Sequence, residues 1–235
     1  MRDPLRRVAE WLFPGSSPEA DEARGTLPVP LVLLTVVTGV VDAVSFLGPS
    51  HVFVANMTGN IVFLGFALAG SRIHTAWASL LSLGAFCVGA WTTGRLVRRL
   101  NRPRSLFAVV TAVHTALVAA ALASALAQGA RGTSAEASLL ALLACGMGLQ
   151  NGVVLAVAVP DLVTTALTRT VTGLIMDVPG AATVRRTVSV VAMFTGALCG
   201  GVLCLGTGPA AALALAVALT LLATVTAAAE PALRG

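Results

Sequence analysis

Apolar residues occur in eight runs along the 235-residue chain, separated by clusters of glycine, proline and charged residues. Most runs approach the length of about 20 residues that an α-helix needs to cross the hydrocarbon core of a bilayer. The pattern therefore predicts an all-α polytopic membrane protein with a single membrane domain over residues 28–229. The apolar runs cover residues 28–48, 51–70, 75–95, 105–127, 137–160, 162–178, 187–206 and 208–229.

The second run contains a compact polar cluster. In HVFVANMTGNIVFLG, the side chains of Asn56, Thr58 and Asn60 and the glycine Gly59 lie among apolar residues. The preceding Val-Phe-Val favours extended backbone, and Asn56 or Thr58 can then cap a helix. Lipid offers no hydrogen bonds to an interrupted backbone, so such a segment has to be buried in protein or line a cavity. We predict a broken, re-entrant segment here.

The sixth run has the same design. Its sequence DLVTTALTRTVTG carries a series of hydroxyl side chains, including Thr165 and Thr168. Each broken helix would offer free backbone amides and a partial positive charge at its amino end. We expect the two amino ends to meet near the middle of the membrane. They would either form a binding site there or satisfy one another.

A shift of about 109 residues superimposes the order and lengths of the runs, which predicts an internal repeat. Asp42 then falls near Asn151, and Thr58 falls on Thr168. The third and fourth runs fall on the seventh and eighth. The two repeats cover residues 28–127 and 137–229.

Arginine supplies all the basic side chains apart from histidine, and its distribution indicates how the chain crosses the membrane, because cytoplasmic loops concentrate it. If all eight runs crossed, the stretch RLVRRLNRPR at 95–104 would face outward. If the two polar runs enter and leave on one side, twelve arginines face the cytoplasm and two face outward. Three crossings per repeat would invert the second repeat, as in many secondary transporters. By length alone the polar runs could also cross, so full spanning stays open.

The composition excludes a soluble domain and narrows the chemistry. Hydrophobic residues make up 57% of the chain, charged residues 11%, and the mean hydropathy is +0.90. The expected partner is the lipid bilayer rather than nucleic acid, because the arginines flank apolar runs. The four cysteines lie within apolar runs without metal-ligand spacing. No catalytic motif is present, so we expect neither an enzyme nor a metal or cofactor.

Asp42 is the sharpest single signal, since it is the only acidic residue of the first run. An ionisable residue inside a membrane segment costs about 2.5–3.5 kcal/mol or more without partners and is a functional-site hypothesis by default. It would either couple transport to a proton or cation, or hold structure. In the structural role it would cap the backbone at 56–60 or pair with Arg169. The second repeat has the neutral Gln150 and Asn151 at the matching place.

The candidate residues for binding a solute or ion share a position in or beside the two broken segments. They are Asp42, Asn56, Thr58, Gly59, Asn60, Gln150, Asn151, Thr165, Thr168 and Arg169. His114, inside the fourth run, is expected to make an interhelical hydrogen bond, with a proton relay as the alternative.

The stretch GVVDAVSFLGPSHVFVANMTGNIVFLG resembles the N-terminal signature of the YoaK-like family of bacterial integral membrane proteins, also called domain of unknown function DUF1275. That family shows a Gly-x-x-Asp-Ala start and a Phe-x-x-x-Met-Thr-Gly-Asn core. GMGLQNGVVLAVAVPDLVTTALTRTVTGLIMD resembles its second conserved stretch, with Gly152 in place of the usual alanine and Arg169 in place of the usual glycine. The resemblance covers about 28–229 and implies a membrane location but no activity. Arg169 argues against an open anion site at the second broken helix.

The functional expectation is a small secondary transporter or permease for a small polar or anionic solute. A channel-like pore and a non-transport scaffold or partner subunit are the alternatives, and a homo-oligomer stays open. We expect the protein in the inner membrane of the cell with both termini cytoplasmic. Residues 1–27 would then be a polar cytoplasmic tail and residues 230–235 a short C-terminal tail.

Overall fold

The computed structural model describes residues 7–8, 27–71, 76–100, 103–128, 132–157, 167–176 and 180–228. Most of both predicted tails and Thr165 lie outside these ranges. The described part contains helices and no strand. The eight helices are α1 (Pro28–Phe46), α2 (Met57–Leu68), α3 (Ala76–Val97), α4 (Pro103–Gln128), α5 (Thr133–Val157), α6 (Leu167–Met176), α7 (Ala181–Gly206) and α8 (Pro209–Ala228).

Six of the eight helices are long and apolar enough to cross a membrane: α1, α3, α4, α5, α7 and α8. The other two, α2 with 12 residues and α6 with 10, would span only about 18 Å and about 15 Å at the usual helical rise. Neither helix alone can cross a hydrocarbon core of about 30 Å. The prediction of an all-α polytopic membrane protein with about six membrane-spanning helices is confirmed, and two shorter helices accompany them in the described residues.

Local sequence explains several helix ends. Prolines occupy the first turn of α1, where a missing amide hydrogen costs nothing because that amide has no intrahelical partner. Between α7 and α8, Gly208 adopts a positive φ of 104°, which L-residues with side chains rarely adopt, and Pro209 starts the next helix. Asn56 caps α2 by accepting a hydrogen bond from the Gly59 amide at 3.4 Å.

The six long helices run in alternating directions between two ends of the bundle. One apolar cluster joins the starts of α1, α4 and α7 to the finishes of α3, α5 and α8, and most described arginines lie near it; we call this the arginine end. The residues of that cluster that define it are Leu27, Leu96, Leu106, Val153, Val188 and Ala223. The finishes of α1, α4 and α7 and the starts of α5 and α8 share the lining of one cavity at the opposite end.

These directions determine where the short helices belong. Helix α1 finishes and α3 starts at the end opposite the arginines, so α2 lies in a segment that departs from and returns to that end. Helix α5 finishes and α7 starts at the arginine end, so α6 lies in a segment that departs from and returns to the arginine end. The two short helices therefore lie in segments that join the bundle at opposite ends.

Helix contacts recur when the two halves of the chain are exchanged. Helix α1 packs on α7 as α5 packs on α3, α8 packs on α1 as α4 packs on α5, and α2 packs on α3 as α6 packs on α7. Helices α4 and α8 pack on each other, and Thr115 Oγ1 lies 3.3 Å from Thr224 Oγ1, a pair 109 positions apart. The pairs of helices in contact are therefore similar in the two halves.

Glycines allow the closest helix approaches, and they also correspond between the halves. A Cβ added at Gly39 of α1 would overlap the α7 backbone at Met193, and one at Gly196 would overlap the α1 backbone. At the matching contact between α3 and α5, a Cβ at Gly148 of α5 would overlap the α3 backbone, and one at Gly89 of α3 would overlap the α5 backbone. The absence of side chains at these positions lets each pair of backbones come into direct contact.

Candidate binding site at the broken segments

The chain between α1 and α2 folds back along the last turn of α1. His51 has a positive φ of 49°, and its Nδ1 lies 2.9 Å from the carbonyl oxygen of Phe46. The following residues, 52–55, belong to no helix, so their amides have no helical partner. Asp42 Oδ1 accepts hydrogen bonds from the amides of Val54, at 3.0 Å, and Ala55, at 2.9 Å. The carboxylate thus holds residues 52–55 against α1.

Asp42 meets part of its predicted role. The residue is buried, with 7% of its surface exposed, and its backbone partners lie just before the predicted stretch 56–60 rather than within it. Among the described residues, Asp42 Oδ2 has no hydrogen-bond partner. Arg169 is exposed and forms no described ion pair with Asp42. One carboxylate oxygen is therefore used by the fold and the other is left available.

Asn60 of α2 also holds residues 52–55, through hydrogen bonds to Phe53. Its Oδ1 accepts from the amide of Phe53 at 2.9 Å, and its Nδ2 donates to the carbonyl of Phe53 at 2.6 Å. Ser82 of α3 accepts from Asn60 Nδ2 at 3.1 Å and donates to the same carbonyl at 2.6 Å. Because Asn60 is fully buried and its amide is occupied by these bonds, it positions the segment and does not face the cavity.

A cavity of about 780 Å³ lies between α1, α2, α6 and α7. Five predicted site residues line it: Asp42, Asn56, Thr58, Gly59 and Thr168. The cavity extends from Gly39, near the middle of α1, to Leu47 just beyond its end. It thus brings the amino ends of α2 and α6 to one space, as expected from the two polar runs.

One side of this cavity is aromatic, which sequence reasoning missed. Phe46, Phe53 and Phe63 all line it and pack on one another. The ring centroids of Phe46 and Phe53 are 4.7 Å apart and nearly parallel, and those of Phe53 and Phe63 are 5.7 Å apart. Their spacing along the chain follows neither a helical nor a strand period, because Phe46 comes from α1, Phe53 from the connection between α1 and α2, and Phe63 from α2. Only the fold-back at His51 brings them together.

Gln150 lies elsewhere. It is fully buried between α5 and α1, where Nε2 donates to Thr38 Oγ1 at 2.9 Å and to the carbonyl of Leu34 at 3.2 Å. Its Oε1 has no partner in the described part of the chain. Gln150 does not line the cavity and joins the two helices instead.

The remaining predicted residues of the second half have different surroundings. Asn151 is half-buried on α5 and, like Arg169, is absent from the cavity lining. Thr165 lies outside the described residues. On α6, Thr170 is buried, and the carbonyl of Gly173 accepts a hydrogen bond from Arg186 Nη1 at 3.0 Å. Within the described residues, the second half contributes Leu167 and Thr168 of α6 and one face of α7 to the cavity.

A second, smaller cavity of about 370 Å³ lies at the end opposite the arginines. Glu136 of α5 lines it and accepts a hydrogen bond from the amide of Ser50 at 2.7 Å. Leu47 lines both cavities, so its side chain separates them. The two cavities follow one another along α1 and α7.

His114, Cys87, Cys145 and Cys199 line neither cavity, and Cys204 lines the smaller one. His114 is buried against Gly146 at the contact of α4 and α5, and neither ring nitrogen has a hydrogen-bond partner among described residues. The interhelical hydrogen bond expected for it is therefore not found in that part. Among described residues no three histidine, cysteine, aspartate or glutamate side chains gather as in a metal site.

Comparison with known proteins bears on the identity of the chain. The sequence profile of a family described as "Protein of unknown function (DUF1275)" matches residues 30–226. The chain belongs to this family. It is also 30% identical over 150 residues to the "UPF0700 transmembrane protein YoaK" of Bacillus subtilis (strain 168), an alignment that covers 64% of this chain and 66% of that protein. No solved structure matches the chain.

The structure accounts for one of the two departures from the family's second stretch. At Gly152, an added Cβ would lie 2.7 Å from Cβ of Thr93, so the side chain of Thr93 fills the space that an alanine would need. The corresponding contact between α1 and α7 joins Ala43 to Gly200. In the α1–α7 contact the larger residue is Ala43 of α1 and the glycine is on α7. In the α3–α5 contact the larger residue is Thr93 of α3 and the glycine is on α5. Arg169, the other departure, is exposed on α6, and nothing in the described contacts explains it.

Proposed function

We propose that this protein is a small secondary transporter, or permease, whose polar solute binds in the cavity between α1, α2, α6 and α7. One observation carries the proposal: the cavity lies where the broken segments of both halves meet, and polar side chains line it. Thr58 of α2 and Thr168 of α6, which correspond in the repeat, contribute to the same cavity. Broken helices around a central site are typical of secondary transporters.

The polarity of the lining supports a wet cavity. Asn56, Thr58 and Thr168 are exposed within the chain, at the level of buried Asp42. Hydrocarbon cannot bond such groups, so polar side chains in membrane segments face the bundle interior or water. A volume of about 780 Å³ also lies in the range of roughly 300–1,000 Å³ common for small-molecule sites.

The proposal includes an inverted repeat. It is supported by the opposite directions of α1 and α5, of α3 and α7, and of α4 and α8, together with the contact between Thr115 and Thr224. Two halves of opposite orientation can rock against each other and open the same site to either side in turn. The two short helices, which join the bundle at opposite ends, would provide the two gates.

We assign the arginine end to the cytoplasm, in the inner membrane of the cell. Six described arginines at that end support this orientation, because cytoplasmic loops concentrate arginine. They are Arg95, Arg98, Arg99, Arg104, Arg185 and Arg186. The cavity that contains Glu136 would then face outward.

The test is the accessibility of single cysteines to a charged, membrane-impermeant thiosulfonate reagent. The four native cysteines are replaced by alanine, and Thr58→Cys and Thr168→Cys are introduced one at a time. Val88→Cys is the matched control, because Val88 is 57% exposed on α3 and does not line the cavity. Labelling is measured in vesicles of each orientation.

For a transporter, both cavity cysteines react faster than Val88→Cys, and each reacts faster from one side of the membrane than from the other. Equal and simultaneous reaction from both sides would indicate a channel-like pore and overturn the proposal. Reaction no faster than that of Val88→Cys would indicate a dry contact, as in a scaffold, and would also overturn it.

A further inference from the structure

The charge of the cavity lining narrows the class of solute. Among the described lining residues, Asp42 is the only one with a formal charge. Its Oδ1 accepts two backbone amides, and Oδ2 has no partner among the described residues. Asp42 lines the cavity, so a protonated amine there can donate a charge-assisted hydrogen bond to this oxygen.

The aromatic side of the cavity favours the same ligand. Phe46, Phe53 and Phe63 supply apolar surface, and the faces of phenyl rings attract cations within about 6 Å of the centroid. Met193 and Val62 extend the apolar lining. The cavity therefore offers one anionic point beside a large apolar wall. An amphipathic cation is complementary to both parts.

The amino end of α2 is the feature that would favour an anion. Its partial charge of about +0.5 is smaller than the full charge of an ionised carboxylate. Two amides of its first turn have partners within the protein: Gly59 donates to Asn56 Oδ1, and Asn60 donates to the carbonyl of Asn56. Arg169 does not line the cavity. The carboxylate therefore dominates the electrostatics of the cavity.

We infer that the cavity binds a small amphipathic organic cation, with a protonated amine at Asp42 Oδ2 and an apolar group against the three phenylalanines. The inference rests on the proposed function and replaces the broad class of polar or anionic solutes by amphipathic organic cations. No covalent step is involved. The amine remains protonated, and its positive charge offsets the carboxylate in the cavity.

The experiment compares three probes that share a phenethyl or benzyl group but differ in charge. They are 2-phenylethylammonium, 2-phenylethanol and phenylacetate. Binding to the full-length protein in detergent is measured by isothermal titration calorimetry at neutral pH. The ammonium should bind at least about tenfold more tightly than the alcohol or the acetate, the difference expected for a hydrogen bond between charged groups.

Variants locate the binding. Asp42→Asn keeps an oxygen to accept the amides of Val54 and Ala55 but removes the charge, so ammonium binding should weaken by about tenfold or more. Gly201 lines the cavity, and a Cβ there meets no atom within 4 Å, so Gly201→Leu should place a side chain in the cavity and weaken binding. Gly94 has the same open surroundings on α3 and does not line the cavity, so Gly94→Leu should bind like the unaltered protein.

Tighter binding of phenylacetate, or no binding of the ammonium by the unaltered protein, overturns the inference. Equal ammonium binding by the unaltered protein and Gly201→Leu overturns it as well, and this comparison still decides if Asp42→Asn fails to fold. Cysteine labelling at Thr58 and Thr168 uses none of these probes. A wet, alternately accessible cavity that rejects the ammonium would therefore leave the transporter proposal standing and remove only the cation.

Discussion

The two broken segments occupy corresponding places in the halves but have become different. The first half places Asp42 and Phe63 at the cavity. At the matching positions, the second half has neutral Asn151 and Gly173, and Arg186 donates a hydrogen bond to the Gly173 carbonyl. The helix packing is similar in the two halves, but the side chains differ. The first half supplies Asp42 and the phenylalanines to the cavity, and in the second half Arg186 bonds to the short helix α6.

This difference separates what the proposed repeat preserves from what it varies. The matching contacts, α1 with α7 and α5 with α3, are backbone approaches at glycines, which a mutation to a larger residue disturbs. The positions that differ are side chains around the cavity, where each half can change without altering the helix packing. The proposed binding site is therefore asymmetric.

The largest expected effect tests the shared frame. Gly39→Ala and Gly148→Ala each force a methyl group into the backbone of a facing helix, so each should lower the free energy of unfolding by about 3 kcal/mol. Gly65→Ala on α2 is the control, since a Cβ there meets nothing within 4 Å. Reversible unfolding in detergent gives the values. A large loss at one of the two glycines and none at the other would contradict the correspondence of the halves.

The next effect should separate the halves. Asn60→Ala removes the acceptor for the Phe53 amide and should lower the free energy of unfolding by about 2 kcal/mol, because a buried amide loses its partner. Thr170 occupies the matching place on α6, where Thr170→Ala removes no described interhelical bond and should cost less. Thermal unfolding of both variants provides the comparison. Equal losses would mean that the second segment is anchored in the same way.

Asp42 should be energetically coupled to Asn60, since both hold residues 53–55. Asp42→Asn retains a neutral acceptor and should lower the free energy of unfolding by about 1 kcal/mol, the difference between charged and neutral hydrogen bonds. In the double variant with Asn60→Ala, the two losses should be non-additive by about 0.5 kcal/mol or more. A double-mutant cycle in detergent measures this. Strict additivity would show that the two side chains anchor the segment independently.

The smallest effect concerns the two open glycines. Gly201→Ala beside the cavity and Gly94→Ala on α3 each add a methyl group where no atom lies within 4 Å. Alanine restricts the unfolded chain, so both should raise the free energy of unfolding by about 0.5 kcal/mol. Chemical denaturation resolves the sign. A loss at Gly201 alone would indicate that the cavity is closed by a neighbour in the folded protein.

The sequence by itself determined the membrane class, the six long helices and the existence of two broken elements. These properties are local: apolar length decides whether a helix can cross, and the amides and hydroxyls near Asn56 mark where a helix cannot continue in lipid. The arginine distribution also indicated that the polar runs return to the side they enter, and the helix directions agree with that arrangement. Membership in the family followed from the same residues.

Tertiary structure alone decided which side chains share the cavity. Gln150 and Asn151 are adjacent in sequence, but successive helical residues point about 100° apart, so Gln150 turns toward Thr38 of α1 and away from the cavity. Phe46, Phe53 and Phe63 meet only because the chain reverses at His51, and Ser82 reaches Asn60 only because α2 packs on α3. Thr93 likewise fills the space beside Gly152 only because α3 and α5 pack on each other. Such contacts depend on helix rotation and chain reversal, which hydropathy does not encode.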